Sequence, residues 1–178
     1  MTSLGGAGVT LREPAVTDAA ALADAYRRNR ERLAPWEPVR AESFFTEAGQ
    51  RAELEAVLRD RDAGVAAPFV LVAGERIVGR VNLSGIVRGA FQSANLGYWI
   101  DGGFAGRGVM TAAVDAVARA AAEEWGLHRV QAGTLLHNAA SRAVLRRCGF
   151  TEIGVAPGYL KIAGRWQDHL LFQRILEG

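Results

Sequence analysis

The chain has 178 residues, of which 49% are hydrophobic and 22% are charged, and its formal net charge at neutral pH is +2. This size and composition are typical of a single globular domain with a sizeable core, and the small net charge gives no argument for nucleic-acid binding. No apolar run approaches the roughly 20 residues of a membrane span, and the first residues lack the basic and apolar regions of a signal peptide, so we expect a cytoplasmic protein with no membrane partner.

The chain has one cysteine and three histidines. Because Cys148 stands alone, an internal disulfide and a cysteine-rich metal site are excluded. Its neighbours Leu145 and Phe150 favour a buried apolar side chain over a reactive thiol. The histidines are scattered and form no ligand pair at helical spacing, so we predict no structural zinc and no other metal site.

The first third of the chain predicts a strand and two helices. Residues 1–8 are glycine-rich, and we expect them to be frayed. Residues 9–13 alternate in polarity and stop at Pro14, which predicts a strand. Residues 18–33 and 46–62 carry apolar side chains at helical spacing and predict two helices.

The connection between these helices carries an aromatic residue in an extended segment. Pro35 and Pro38 interrupt the helical pattern and force extended backbone. Trp36 lies between them, either as a plug over the core or as one wall of a binding cleft. The sequence leaves both interpretations open.

The rest of the chain alternates strands with two further helices. Strands at 68–73 and 76–86 form a predicted hairpin, followed by a strand at 93–100. A helix then ends near Gly126. The remaining elements are a strand at 130–135, a helix at 139–147, a strand at 151–155 or as far as 161, and a strand at 166–175. This order predicts one α+β domain over residues 1–178, with a central, mostly antiparallel sheet of about seven strands and about four helices.

A glycine-rich turn separates the strand at 93–100 from the next helix. Residues 102–111 read GGFAGRGVMT. Glycine lets the main chain pass close to a ligand, and the first N–H groups of a helix have no intrahelical acceptor. Such turns typically bind a pyrophosphate. The simpler interpretation is that these glycines only make a tight turn.

Several segments in this order and spacing resemble the GNAT acyltransferase superfamily, which uses acetyl-CoA, and more narrowly the RimJ/RimL type of protein N-acetyltransferase. The matching residues are 11–14, 36, 96–100, 106–111, 138–141, 145–150, 159–160, 164–165 and 168. The family's glycine pattern begins with Gln or Arg three residues before its first glycine, and Gly103 stands at that position here. This departure puts one side-chain contact in doubt, because the phosphates are held mainly by backbone N–H groups.

The resemblance implies where coenzyme A lies. In this fold two neighbouring parallel strands splay apart, and here they are expected to be 98–100 and 130–135, with the pantetheine arm in the gap and the pyrophosphate on residues 105–111. The expected cofactor-binding residues are Tyr98, Trp99, Ile100, Ala105, Gly106, Arg107, Gly108, Val109, Met110, Thr111, Asn138 and Ser141. Arg107 is either a phosphate contact or a solvent-facing loop residue.

The resemblance also implies two catalytic residues. Asn138 contacts the pantetheine arm, a role compatible with capping the helix that follows. Ser141 donates a proton or a hydrogen bond to the CoA sulfur, a task that many GNAT enzymes give to tyrosine. No general base stands out by sequence, and the candidates are Glu13, Glu37, Glu42 and Asp101. His137, beside the cap, titrates in the right range but is more often structural in such a place.

The acceptor is expected to be an amine with a low pKa. A protein N-terminus has a pKa of about 7.7–8.0, against about 10.4 for lysine, so an α-amine makes the smaller demand on a site without a strong base. We therefore expect transfer to a protein N-terminus of the ribosomal-protein type, with Trp36 and Tyr159 at the acceptor site. A small-molecule amine and a non-catalytic acyl-CoA-binding regulatory module are the alternatives, and a homodimer is left open. A dinucleotide-binding oxidoreductase fits poorly, because its motif needs glycine where Thr111 stands.

Overall fold

The computed structural model describes residues 2–4 and 8–176. Within those residues eight strands form one sheet in the order β1-β2-β3-β4-β5-β6-β8-β7. The strands are β1 (Thr2–Ser3), β2 (Val9–Arg12), β3 (Ala66–Ala73), β4 (Arg76–Val87), β5 (Ser93–Ile100), β6 (Arg129–Leu135), β7 (Thr151–Ile162) and β8 (Arg165–Ile175). All neighbours are antiparallel except β5 and β6, which are parallel.

Four α-helices accompany the sheet in this part of the chain. They are α1 (Ala19–Leu33), α2 (Glu47–Asp62), α3 (Val109–Glu123) and α4 (Ala139–Arg147), with short 3-10 turns at Val16–Asp18, Glu42–Phe45 and Gly102–Phe104. None of the helices in the described ranges has the length and apolar character needed to cross a membrane. The predicted α+β class, with four helices and a mostly antiparallel sheet around one parallel pair, is confirmed.

The N-terminal segment differs from its prediction. Thr2 and Ser3 pair with β2 as an additional edge strand, and Leu4 is buried. These three residues are therefore not frayed as expected, because the edge of β2 offers them backbone hydrogen bonds. Met1 and residues 5–7 of the same segment lie outside the described residues.

Each face of the sheet is covered by one pair of helices. On the first face, Leu22 of α1 and Leu54 of α2 pack with Val70 and Ile77 in one buried cluster. On the second face, the buried side chains of α3 and α4 join the larger cluster, which includes Val114, Leu145, Val81, Leu96 and Val130. Because side chains alternate along a strand, these clusters also tell which face each neighbouring polar residue occupies.

The parallel pair separates towards its carboxyl ends. The ladder between β5 and β6 holds three residue pairs, and in the described chain it ends at Asn95 and Gln131. Beyond that point residues 96–100 stay paired with β4, and residues 132–135 stay paired with β8. The predicted splayed pair is therefore present, and it leaves a gap in the centre of the sheet that joins the two faces.

Candidate active site

The glycine-rich turn is anchored to α1 by a buried polar residue. Asn29 accepts a hydrogen bond from the backbone N–H of Gly102 at 3.1 Å and donates one to a carboxylate oxygen of Asp101 at 3.0 Å. Asp101 in turn accepts from the backbone N–H of Gly103 at 2.9 Å. Burial alone would raise the pKa of Asp101, but these hydrogen bonds and one from Arg28 lower it below its ordinary value. The start of the turn is therefore held rigidly in place.

The end of the turn presents backbone to open space. Gly106 and Gly108 have φ angles of +73° and +76°, a conformation that favours glycine. A Cβ atom placed on either residue would meet no other atom within 4 Å. Gly108 caps α3 without a side-chain hydrogen bond, while Val109 and Met110 are buried. The first N–H groups of α3 therefore have no side-chain cap and suit an anion at this end of the helix.

The side chain of Arg107 is exposed on this turn. Its guanidinium lies 5.8 Å from the ring centroid of Phe104, within the range of a cation–π contact. This position beside the free N–H groups is compatible with either of the two interpretations of Arg107.

Ser141 faces the end of β5 across the gap. Asn138 caps α4, since its side-chain oxygen accepts from the backbone N–H of Ser141 at 3.1 Å. The hydroxyl oxygen of Tyr98 lies 2.8 Å from Oγ of Ser141 and also donates to the Ser141 carbonyl at 3.2 Å. Burial raises the pKa of Tyr98 well above its ordinary value, so the phenol stays protonated and can donate. The structure thus brings Tyr98, Asn138 and Ser141 together, although no pattern in the sequence predicted a contact between the two hydroxyls.

The other two residues expected along β5 are already engaged. Trp99 is buried on the α1/α2 face, where its indole N–H donates to the Tyr26 hydroxyl at 3.0 Å. The carbonyl of Ile100 accepts a hydrogen bond from Arg32. The Trp99 side chain therefore belongs to the core, which leaves only its backbone beside the gap.

A loop after α1, residues 34–41, lies over the gap on the α1/α2 face, and we call it the roof loop. The ring of Trp36 lies 5.3 Å from that of His137, centroid to centroid. The carbonyl of Glu37 accepts from the backbone N–H of Ala163, in the turn between β7 and β8, at 3.0 Å. Trp36 is 37% exposed and does not fill the core. This geometry favours the interpretation of Trp36 as one wall of a binding cleft and not as a plug over the core.

On the α1/α2 face, two polar residues of β4 have buried atoms without hydrogen-bond partners among the described residues. Arg80 is only 8% exposed, and its Nε has no partner within the described residues. The side-chain oxygen of Asn82 is likewise buried and unpartnered among them. Sequence reasoning missed both, although their spacing of two on a central strand was a signal that they share one face.

Tyr159 flanks the opposite side of the gap. Its ring centroid lies 5.5 Å from that of the buried His169, and Gly133 of β6 leaves room beside it. The structure therefore places Trp36 and Tyr159 on the same face of the sheet, as expected for two residues near one acceptor.

Among the four carboxylates named from the sequence, Glu37 differs from the others. Glu13 pairs with Arg61, Glu42 pairs with Arg30, and Asp101 holds the glycine turn. Glu37 belongs to no ion pair among the described residues. Burial raises its pKa, and this effect outweighs the opposing charges of Arg40 and Arg80.

The structure offers no obvious place for a metal ion. In residues 2–4 and 8–176, no three His, Cys, Asp or Glu side chains gather closely enough to hold one. Cys148 is buried, and its thiol donates to the carbonyl of Thr111 at 3.3 Å, behind the start of α3. Burial raises the pKa of this thiol to about 11, which suits the predicted structural role.

Comparison with known proteins decides the family. Residues 9–151 match the family described as an acetyltransferase (GNAT) domain. The chain belongs to the GNAT acetyltransferase family. Among curated GNAT proteins, the [ribosomal protein uS5]-alanine N-acetyltransferase of Escherichia coli (strain K12) is 40% identical over 156 residues, which cover 86% of this chain and 80% of that protein.

Solved GNAT structures agree with this assignment. The ribosomal-protein-S5-alanine acetyltransferase from Vibrio fischeri superposes with a TM-score of 0.91 at 35% identity, covering 94% of this chain and 93% of that one. Mycobacterium smegmatis RimJ in complex with CoA-disulfide gives a TM-score of 0.90 at 30% identity, with coverages of 94% and 81%. The predicted RimJ/RimL resemblance and an acetyltransferase activity are therefore confirmed.

Proposed function

We propose that this acetyltransferase moves an acetyl group from acetyl-CoA directly to the α-amine of a protein N-terminus, with a ribosomal protein as the expected acceptor. The observation that carries the proposal is the gap between β5 and β6. It connects the face that holds the glycine turn and Ser141 with the face that lies under the roof loop. A thioester lying in the gap is reached from both faces, so donor and acceptor meet without a covalent enzyme intermediate.

Coenzyme A is held mainly by backbone. The N–H groups of residues 106–111 bind the pyrophosphate, and Arg107 adds a charge-assisted contact. The pantetheine arm lies along the free edge of residues 96–100, with Asn138 beside it. The open space in front of Gly106 and Gly108 supports this placement, because a phosphate needs close approach to the main chain.

The chemistry needs a neutral amine, a donor for the carbonyl oxygen and a proton for the leaving thiolate. Free N–H groups at the edge of β5 are the nearest donors for the oxygen as it becomes negative. Ser141 donates to the sulfur while the C–N bond forms and the C–S bond breaks. Tyr98, protonated and 2.8 Å from Oγ of Ser141, keeps that hydroxyl oriented.

An α-amine suits this site better than a lysine side chain. Its lower pKa leaves more of it neutral at physiological pH. Two relatives that are named as alanine acetyltransferases of a ribosomal protein support the same acceptor class.

The test is acetyl-CoA turnover on a matched set of acceptors. Peptides with a free N-terminal alanine or serine are compared with N-terminally blocked peptides that contain lysine, and with small polyamines. We expect thiol release and a mass gain of one acetyl group only with the free N-termini. Turnover confined to polyamines would assign a small-molecule acceptor, and no turnover on any amine would favour the non-catalytic module.

A further inference from the structure

On the α1/α2 face of β4, two buried polar atoms lack the hydrogen-bond partners that such atoms ordinarily have in a folded protein. Burying a donor or an acceptor without a partner costs about 1–3 kcal/mol. Nε of Arg80 and the side-chain oxygen of Asn82 are both in that state within the described residues. Nε of Arg80 is a donor and the side-chain oxygen of Asn82 is an acceptor. A ligand that satisfies both must therefore offer one acceptor and one donor.

Strand register places this donor and acceptor beside the gap. Arg80 pairs across the ladder with Trp99, and Asn82 pairs with Gly97, so each lies on the α1/α2 face next to β5. Gly97 has no side chain, and a Cβ placed there would meet no atom within 4 Å. The space above Gly97, beside Asn82, is therefore open on this face of β5.

Glu37 belongs to the roof loop and lines a cavity together with Arg30 and Arg40. The positive charges of Arg40 and Arg80 oppose the effect of burial on its pKa. The contacts of Trp36 with His137 and of the Glu37 carbonyl with Ala163 hold the loop in position over the sheet. A cavity of about 170 Å³ adjoins Glu37, and its lining includes Tyr26, Leu33, Val39 and Phe45.

We propose that Glu37, Arg80 and Asn82 form the subsite that recognises an acceptor as a peptide N-terminus. This inference depends on the proposed function. Glu37 binds the α-ammonium group, Nε–H of Arg80 donates to the first carbonyl oxygen of the peptide, and the side-chain oxygen of Asn82 accepts from the N–H of its second residue. The adjoining cavity receives the first side chain.

Glu37 also takes a proton in this arrangement. The ammonium group loses two protons during the reaction. One passes to the Glu37 carboxylate and then to solvent, which leaves the nitrogen lone pair free to form the C–N bond. Ser141 donates a proton to the CoA thiolate as the C–S bond breaks. The second proton from the amine replaces the one that Ser141 has given up.

A peptide and its ester analogue test the role of Asn82. In the analogue the linkage between residues 1 and 2 is an ester, which removes the N–H group and keeps the free α-amine. We expect wild-type kcat/KM to fall about tenfold on the ester, a loss of the size expected for one buried hydrogen bond. Asn82→Leu should lose a similar factor on the amide and almost nothing further on the ester.

Asn95→Leu is the matched control, because Asn95 is exposed on the neighbouring strand at the end where β5 is still paired with β6. For Asn95→Leu, kcat/KM should still fall about tenfold when the amide peptide is replaced by the ester, as expected for one buried hydrogen bond. An equal ester penalty in wild type and Asn82→Leu would overturn the inference and leave the proposed function intact. If wild type acetylates no peptide at all, the proposed function fails and the inference fails with it.

Two further variants test whether Glu37 and Arg80 act on the acceptor or only stabilise the fold. With Glu37→Gln, kcat/KM should fall at least tenfold and lose its dependence on the protonation of that carboxylate, while the Kd for CoA stays unchanged. Arg80→Lys should raise the KM for peptides more than it lowers kcat, because lysine keeps the charge but places its donors differently. An unchanged peptide KM in Arg80→Lys, or an unchanged pH profile in Glu37→Gln, would contradict the proposed roles.

Discussion

One side of the gap in the sheet presents mainly backbone groups, whereas the other side presents mainly side chains. On the cofactor side, one continuous turn and the start of one helix, residues 101–111, present backbone N–H groups. On the proposed acceptor side, the roof loop, β4, β7 and β8 come from distant parts of the chain. The proposed ligand of the first side, coenzyme A, is shared by many proteins, so a local motif suffices. The proposed role of the second side is to distinguish among amines, which takes several side chains in a defined geometry.

The two sides also differ in how their polar groups are satisfied. Asn29, Asp101 and Asn138 each have hydrogen-bond partners that fix the cofactor side before any ligand arrives. Arg80 and Asn82 have buried atoms without partners on the acceptor side. The polar groups are therefore preorganised on one side, whereas on the other we propose that a ligand supplies the missing partners.

The largest expected effect comes from a side chain added to the glycine turn. Gly108→Val would place carbon atoms where the phosphate approaches and would strain a φ of +76°. Losing one or two charge-assisted contacts predicts about a hundredfold weaker Kd for CoA, measured by calorimetry.

Gly89→Val is the matched control for backbone strain. Gly89 has a φ of +70° on an exposed turn, and a Cβ there would also meet no atom within 4 Å. It should lose similar stability while its Kd for CoA stays unchanged. An equal loss of CoA binding in both variants would mean that strain, and not the phosphate contact, explains the result for Gly108.

The next effect concerns the chemical step in the gap itself. Ser141→Ala removes the proposed donor to the sulfur and the partner of Tyr98. We expect kcat to fall about tenfold to thirtyfold, less than the roughly hundredfold or more that is typical of a general acid, because a thiolate is a good leaving group. The Kd for CoA should stay within a factor of two. Ser84→Ala, an exposed hydroxyl on β4, is the control, and an unchanged kcat in Ser141→Ala would remove Ser141 from the mechanism.

The contrast between the two sides explains what the sequence could predict. The glycine turn and the Asn138 cap lie in short segments whose local spacing carries the signal, whereas the role of Ser141 followed from the family resemblance. The gap followed from the family resemblance, and the structure confirms it. Trp36 and Tyr159 were named from their segments, and the structure places them on the same face.

Arg80 and Asn82 show where such reasoning stops. Both belong to β4, whose pairing with β3 shifts register at a bulge near Leu71 and Val72. Glu37, whose pKa the charge of Arg80 affects, is separated from them by about forty residues of sequence. Their lack of hydrogen-bond partners is a property of the tertiary structure, and no local pattern reports it. Tyr98 is similar, because its contact with Ser141 joins two elements across the gap.

A smaller effect is expected at the wall of the acceptor side. Trp36→Ala removes the aromatic contact with His137 and with the acceptor. Such contacts contribute about 0.5–1.5 kcal/mol, so the KM for the peptide should rise about threefold to tenfold. The Kd for CoA should not change, and a matching loss of CoA affinity would show that Trp36 belongs to the cofactor side instead.

The smallest effect is a change in stability with pH, and it has opposite signs for two carboxylates. The raised pKa of Glu37 means that the folded state binds more protons than the unfolded state above the ordinary value of 4.5, so its charge destabilises the fold at neutral pH. Glu37→Gln should therefore be more stable than wild type at pH 7, by about 0.5 kcal/mol in urea unfolding. The gain should vanish below about pH 4.

Asp18 provides the opposite case. Burial alone would raise its pKa, but hydrogen bonds from Arg12, at 2.7 Å, and from the Ala15 N–H lower it below 3.8. Its contribution is therefore present above the ordinary pKa and is lost as pH falls through the folded value. Asp18→Asn should be less stable than wild type at pH 7, by about 1 kcal/mol, and the difference should shrink in acid. If both variants lose stability at pH 7, Glu37 is an ordinary structural carboxylate, and the acceptor side loses its distinguishing feature.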